Sequence, residues 1–459
     1  MRMTTLEIDE LPHAPGRIPI LGDVTSLDRS TPTQRELELS ARLGPIFQRK
    51  ILRDVLVVVA GAELATQCAD EKRWARALAG PGAALRRISP TGLFTARSSD
   101  PLWAQARRIL TPSFTQASMR IYHESMQTVA DDLVADWTDR STVDVHNAMT
   151  HATFEVIGRA GFSRRIGLLG HTPTDGPDAA TFVEALDSIL RWAGQSTNEL
   201  PLIGIVRNQL RESTLTRATA NLRGYVDAVI AERRTGTADY DDLLGAMLHV
   251  TDPETGERLP DHNIVDQVLT FLVAGHETTS SLLESALYYI ARDSELQKAL
   301  RAEVAEAGTL DYYAVAGLRG LRHLINETLR LHPPSPGFFR VAREEQNLGG
   351  YRIPAGRAVF ILALAAQRDP RVWGADAAEF DPTRFAGRGA GTGRFYRPWG
   401  VGPRSCIGMA FAQHEATLLL ARILDGFDLY PTTDTPKLQM VERGTLRPAP
   451  YTLTTHRRT

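Results

Sequence analysis

Cysteine is nearly absent from this sequence, which carries only Cys68 and Cys406 among its 459 residues. Two cysteines cannot build the cross-linked framework of a small secreted protein, and the usage fits a reducing cytosol. Long apolar runs are missing too. No stretch reaches the roughly 18 consecutive apolar residues that a membrane-spanning helix needs. Glu7, Asp9 and Glu10 interrupt the place where a secretory leader would carry its apolar core. The expectation is a cytoplasmic chain that neither crosses nor binds a membrane. A charge excess is lacking as well. The formal net charge of −2 gives no bulk attraction to nucleic acid. There is no internal repeat and no low-complexity linker.

What is present is ordinary globular composition and a strong helical signal. Length alone would suggest about three domains at roughly 150 residues each, but nothing in the chain reads as a linker. The β-branched run 51–59 predicts a buried strand. Gly80-Pro81-Gly82 opens a loop that extends to about Asp100. Helical periods follow over 103–110, 118–137, 145–159, 181–192 and 211–234, with loops at 161–179 and 198–205. The longest pattern, 263–292, predicts a helix of roughly 45 Å. Helices continue to Leu331, where Pro333-Pro334-Ser335-Pro336 stops them. Short antiparallel strands are expected over 341–364, a last helix over 406–424, and strands in the tail. The fold class is mainly α with small antiparallel β-sheets (α+β). The expected organisation is an extension over 1–34 and a single large helical domain over 35–459.

The most informative segment is Trp399-Gly400-Val401-Gly402-Pro403-Arg404-Ser405-Cys406-Ile407-Gly408. Glycines let backbone pass close to a flat cofactor and adopt positive φ. A cysteine where a loop enters a helix is favoured as thiolate by backbone N–H groups and the helix dipole. Arg404 can point a fixed cation at an anionic cofactor edge. On these residues alone, a lone buried cysteine in a helix stays open as the alternative. A dinucleotide fingerprint fails because Ser405 stands where glycine is needed. A zinc site fails because no further Cys or His lies at ligand spacing.

A second segment, Ala274-Gly275-His276-Glu277-Thr278-Thr279, lies mid-way along the long helix. Ala274 and Thr278 are four apart and share a face. Gly275 weakens the helix by about 1 kcal/mol relative to alanine and needs a reason. The Thr278 hydroxyl can bond back to the carbonyl of Ala274. A hydroxyl beside an acid can relay protons, although Thr and Glu on a helix are more often a solvated face. Glu327 and Arg330 form an i,i+3 pair, which in most proteins is a surface pair worth about 0–1 kcal/mol.

Together these segments resemble the cytochrome P-450 superfamily, the haem-thiolate monooxygenases. Gly402, Arg404, Cys406 and Gly408 match its haem-loop pattern, with Trp399 where the family has Phe. Residues 274–279 match its oxygen-activating helix. The likeness extends from about residue 35 to 455 with four motifs in the family's order. It implies haem b lying between the long central helix and the Cys-loop helix, with Cys406 as the iron ligand. It assigns Glu277 and Thr278 to proton delivery. It makes Glu327 and Arg330, joined by Arg384, a buried brace. It places Trp103, Arg107, Arg340 and Arg404 at the haem propionates, and Phe94, Val273, Ala274, Ser335 and Gly337 in the substrate pocket. A Trp399 indole N–H near the sulfur would withdraw electron density from it.

The implied activity is insertion of one atom of O2 into an apolar organic substrate. Gly92-Leu93-Phe94-Thr95 and 110–114 look most like the soluble bacterial fatty-acid hydroxylase branch. Where that branch holds a carboxylate with Arg and Tyr, this sequence has Asp54 and Val58. A specialised-metabolite intermediate is therefore the expected substrate, with a fatty acid as the alternative. Only 53 residues follow Cys406, and no flavin or nicotinamide fingerprint occurs, so a separate ferredoxin or flavodoxin with its reductase is expected to supply electrons. Arg107, Arg108, Arg394 and Arg397 are candidates for a basic docking patch. A peroxide-driven peroxygenase and a non-catalytic haem-based sensor remain as other classes. The first lacks an acid–alcohol pair, and no appended signalling domain is visible to support the second.

Overall fold

The computed structural model describes residues 6–28, 30–169, 179–196, 201–236, 241–387, 392–433, 437–442 and 444–458. The chain forms two compact units, each built from two separate stretches: 1–79 with 326–406, and 80–325 with 407–459.

The first unit is organised on a five-stranded sheet. With strands numbered in chain order, β1 (Ile46–Ile51), β2 (Asp54–Val59), β3 (Trp74–Arg76), β5 (Phe338–Ala342) and β8 (Ala358–Ile361) lie in the order β1-β2-β8-β5-β3. The single strand expected over 51–59 is instead a hairpin, with Ile51 paired to Asp54. Leu52 turns the chain at φ 55°. Strand β1 escapes the pattern because it buries Gln48 and Arg49. The Gln48 amide donates to the carbonyls of Asp9 and Leu11, which lets a polar residue face inward at little cost. Residues of the stretch expected as an extension lie against this unit. Leu6 bridges to Tyr351, His13 to Gln48 and Gly22 to Ile51.

A small hairpin of β6 (Gln346–Leu348) and β7 (Tyr351–Ile353) completes the strands of this unit. The core gathers Leu11, Ile46, Val57, Val59, Cys68, Trp74, Leu348, Ile353, Val359 and Ile361. Within this group, Val57 and Val59 of β2 and Val359 and Ile361 of β8 are alternate residues that share a sheet face.

The second unit is helical. Its central helix, Asp261–Arg292, is buried along most of its length and packs against the helices Val145–Val156 and Met409–Gly426. The helix expected over 145–159 gives way to a π turn, Ile157–Gly161. The helix Pro201–Thr235 starts ten residues before the expected 211, because a proline in the first turn initiates a helix as readily as it ends one. That start cuts short the expected loop 198–205, of which 198–200 fall outside the described residues, as do 170–178 of the loop 161–179. Two small sheets, β4 (Thr142–Asp144) with β12 (Thr452–Arg457) and β9 (Phe427–Pro431), and β10 (Met440–Glu442) with β11 (Leu446–Pro448), finish the unit. Among the described residues no helix is long and apolar enough to cross a membrane.

Candidate active site

The cysteine loop is a closed turn. The Cys406 amide donates to the Trp399 carbonyl at 2.8 Å. Gly400 and Gly402 lie at φ 74° and 64°, a region that favours glycine. Cys406 is exposed, whereas Cys68 is buried. Burial pushes the Cys68 thiol up to about 12, so it is inert. Gly408 is the N-cap of the helix Met409–Gly426, and Cys406 precedes it by two residues, where peptide dipoles favour an anion.

Behind the loop, Arg330 binds Glu327 through two hydrogen bonds of 2.6 and 2.7 Å, and neither side chain is exposed. The remaining Arg330 donors reach the carbonyls of Gln367, Ala377 and Glu379, and the guanidinium lies over the Trp373 ring. Every donor of the buried cation is thus answered, as burial requires. Arg384 approaches Glu327 at 3.4 Å but binds Asp376 at 2.5 Å. The amide of Asp381 also donates to Glu327.

Arg340, expected at a propionate, is nearly fully buried. Its Nε and Nη2 donate to the carbonyls of Cys68 and Trp74, and its guanidinium forms an ion pair with the Glu71 carboxylate at 2.9 Å. Ser335 is exposed, with its hydroxyl on the Gly337 carbonyl. At Gly337 a Cβ would strike the Ile361 carbonyl and the Phe360 ring. Trp399 and Arg404 are half-buried in the loop.

In the second unit the central helix is buried through 264–272 and again through 279–287, but it opens in the middle. Ala274 is exposed, and Val273, Gly275 and Thr278 are partly so. The Thr278 hydroxyl donates to the Ala274 carbonyl at 2.9 Å. Gly275 lies against Ile157, with room for a Cβ only at 3.3 Å, which gives the glycine its packing reason. Glu277 turns away and accepts from the Thr445 hydroxyl at 2.9 Å. His276 is a core residue: it stacks on Phe154, donates to the Leu272 carbonyl, and burial lowers its pKa to about 3.

Phe94, half-exposed, follows a loop stapled to the central helix. Asp266 accepts from the Thr91 amide and hydroxyl at 2.8 Å each and from Arg223 at 2.6 Å. Gln267 accepts from the Leu93 amide. Trp103 and Arg107 are partly buried on the helix Pro101–Leu110. Their neighbour Arg108 is bound by both oxygens of Asp252 and by Glu254, so its charge is answered locally and it offers little to a docking patch.

Sequence reading missed several residues. Gln367 joins the Leu329 and Arg330 carbonyls to the Arg397 amide; its place before Arg368-Asp369-Pro370 was the available signal. Asp266 and Asn263 formed a polar stripe on an apolar helix. Thr445, Glu71 and Glu415 gave none. Glu415 is buried beside Thr279, and burial holds its carboxyl well above the usual range, as a neutral acid.

A haem with thiolate ligation asks for an accessible, ionisable sulfur, backbone able to lie close to a flat ring, and a helix face without bulk. In the first unit, Cys406 and the loop glycines meet the first two needs; in the second unit, taken by itself, the Ala274 opening offers a helix face without bulk. Among the described residues no group of three or more His, Cys, Asp or Glu is arranged to hold a metal ion.

Comparison with known proteins agrees. The cytochrome P450 family model matches residues 12–455. A bifunctional cytochrome P450/NADPH–P450 reductase of Bacillus cereus is 36% identical over 94% of this chain and 41% of its own length. One from Bacillus subtilis is likewise 36% identical, with the same coverage. A self-sufficient cytochrome P450 monooxygenase of Phanerodontia chrysosporium is 33% identical over 95% of the chain and 42% of its own. The chain spans about two fifths of the length of these relatives. By its fold, its cysteine loop and this match along nearly its whole length, the chain belongs to the cytochrome P450 family.

Proposed function

We propose that this chain is a monooxygenase that carries haem b on Cys406 and inserts one atom of O2 into an apolar organic substrate. The observation that carries the reading is the local opening of a buried helix at Ala274 and Thr278, with Glu277 adjacent and anchored. Bound haem supplies oxygen activation, and a thiolate ligand favours O–O cleavage. The protein's part is a small-sided helix face for the ligand, and a hydroxyl and a carboxylic acid for moving protons. Trp103, Arg107 and Arg404 are the proposed propionate donors.

For the substrate we favour a specialised-metabolite intermediate over a fatty acid. Val58 is fully buried, and Asp54 is an exposed acid at the start of β2. Neither supplies the cation and phenol that would hold a carboxylate at these positions. A separate ferredoxin or flavodoxin with its reductase is the proposed electron source.

The test is a spectral screen of the holoprotein. Reduced, carbon monoxide-treated protein should show the absorption band of sulfur-ligated haem. Apolar polyketides, terpenoids and peptides should displace the water ligand and shift the Soret band. A full shift with a long-chain fatty acid at micromolar levels would move the substrate reading to the alternative. Turnover with O2 and a surrogate reductase, compared with peroxide alone, separates a monooxygenase from a peroxygenase.

A further inference from the structure

Within the second unit, the central helix carries extra hydrogen bonds where it opens. The carbonyls of Leu272, Ala274, His276 and Glu277 each accept from a side chain: the His276 ring at 2.6 Å, the Thr278 hydroxyl at 2.9 Å, and the Thr153 and Ser280 hydroxyls at 3.1 Å each. A side-chain donor on a helix carbonyl competes with the amide four residues on and bends the helix. Three of these donors belong to the central helix itself. The fourth, Thr153, reaches it from the helix Val145–Val156 and is wholly buried. Its single proton has another outlet, because the Met149 carbonyl of its own helix lies at 2.9 Å. The next residue, Phe154, lies flat on the His276 ring, with centroids 3.8 Å apart. Ile157 of the π turn closes on Gly275. These three residues therefore meet the central helix at 275 and 276, immediately before Glu277 and Thr278. Glu155, between them and fully buried, accepts from the amides of Ile166, Gly167 and Leu168, so the backing segment is itself pinned.

We propose that Thr153 and Phe154 are positioning residues for proton delivery: the Thr153 hydroxyl bonds the His276 carbonyl, the Phe154 ring fixes the His276 imidazole, and together they hold the turn 274–278 in the form in which Thr278 bonds Ala274. They act through His276 on Glu277 and Thr278, and not on substrate. When the Thr153 proton turns to Met149, the His276 carbonyl is left to the Ser280 amide, its regular helical partner, and the turn tightens. The inference rests on the haem-thiolate reading, and its test is built to fail separately.

The experiment compares wild-type, Thr153→Val and Thr153→Ser holoprotein, with and without Thr278→Ala. Three quantities are read. They are the C–O stretching band of reduced, carbon monoxide-treated protein, the rate at which O2 reoxidises the reduced protein in H2O and in D2O, and the urea midpoint. Thr153→Val nearly keeps the shape and removes the donor. It should move the band and the D2O sensitivity toward those of Thr278→Ala and change the rate by about two- to tenfold, the range one neutral hydrogen bond covers. Thr153→Ser, which keeps the hydroxyl, should stay near wild type. On top of Thr278→Ala, Thr153→Val should add nothing, because residues that act through one another are not additive. A lowered urea midpoint in Thr153→Val with band and rate at wild-type values would overturn the proposal, as would a full further change in the Thr278→Ala background. Thr278→Ala indistinguishable from wild type would remove the role that Thr153 was to serve, and the proposal with it. Should Thr153→Val fold poorly, Phe154→Leu removes the ring stack and should move the band and the rate in the same direction. Absence of the sulfur-ligated carbon monoxide band in wild type would instead remove the haem-thiolate reading itself.

Discussion

Glu327 and Arg330 hold each other through two hydrogen bonds with both side chains wholly withdrawn from solvent. Removing one partner leaves a bare charge inside the first unit. Glu327→Gln or Arg330→Leu should cost about 3–5 kcal/mol, seen as a lowered urea midpoint and lost haem content. Arg384→Ala should cost far less, about 0–1 kcal/mol, because its nearest partner, Asp376, is 60% exposed. Equal losses in the two cases would show that the three residues act as one unit.

The two cysteines should separate cleanly. Cys406→Ser is expected to abolish the sulfur-ligated carbon monoxide band. Cys68→Ser should keep it, since that thiol is buried and un-ionised and serves only packing. A wild-type spectrum from Cys406→Ser would be decisive against the iron assignment.

Proton handling is testable at three positions. Thr278→Ala should let reduced oxygen escape as hydrogen peroxide, with product per electron falling by about 10²-fold or more. Glu277→Gln should slow product formation by a similar factor. Thr445→Val removes the hydroxyl that orients Glu277 and should change the pH profile of turnover while leaving substrate affinity near wild type. Peroxide yield and product yield, measured together, decide the matter.

Acid should weaken the second unit through its buried imidazoles. Burial holds His276 at about 3 and His414 at about 4, and His123, hydrogen-bonded to His414, is also lowered. Unfolded histidine takes up its proton near 6.5, and the folded groups do so only at lower pH. Stability is therefore full above 6.5 and falls as pH drops toward 4, by about 1.4 kcal/mol per pH unit for each group. Urea midpoints at pH 7.5 and 5 should show the loss, and His276→Phe should flatten it. An unchanged slope in that variant would place the acid sensitivity elsewhere.

The staple at Asp266 should govern substrate binding through the loop that bears Phe94. Asp266→Asn leaves Arg223 and the Thr91 donors with a poorer acceptor, at about 1–3 kcal/mol. KM is expected to rise with little change in kcat, and the ratio of oxidised positions to broaden. Unaltered KM would confine Asp266 to stability.

The short-range part of this site was legible in the sequence. Cys406 with its glycines, the run 274–279, and the pair Glu327 and Arg330 each lie within ten residues, where spacing alone fixes geometry. Long-range partnerships were not legible. Gln48 reads as a surface residue until the segment around Asp9 and Leu11 supplies acceptors, and Arg49 until the Glu36 carboxylate lies beside it. Glu71 is silent without Arg340, which stands far along the chain and meets it only when β3 pairs with β5. Pro201 misled because the same residue starts helices and ends them.

The interleaving of the two units has a consequence for synthesis. Strand β2 lies beside β8, with Val57 opposite Val359, so its neighbour emerges from the ribosome about 300 residues after it. At 5–20 residues per second that wait is roughly 15–60 s. Throughout it, the apolar run Val57-Val58-Val59 has an unpaired edge of the kind that nucleates aggregation. Yield in a foreign host should therefore follow translation speed and chaperone supply more closely than the stability of the finished protein.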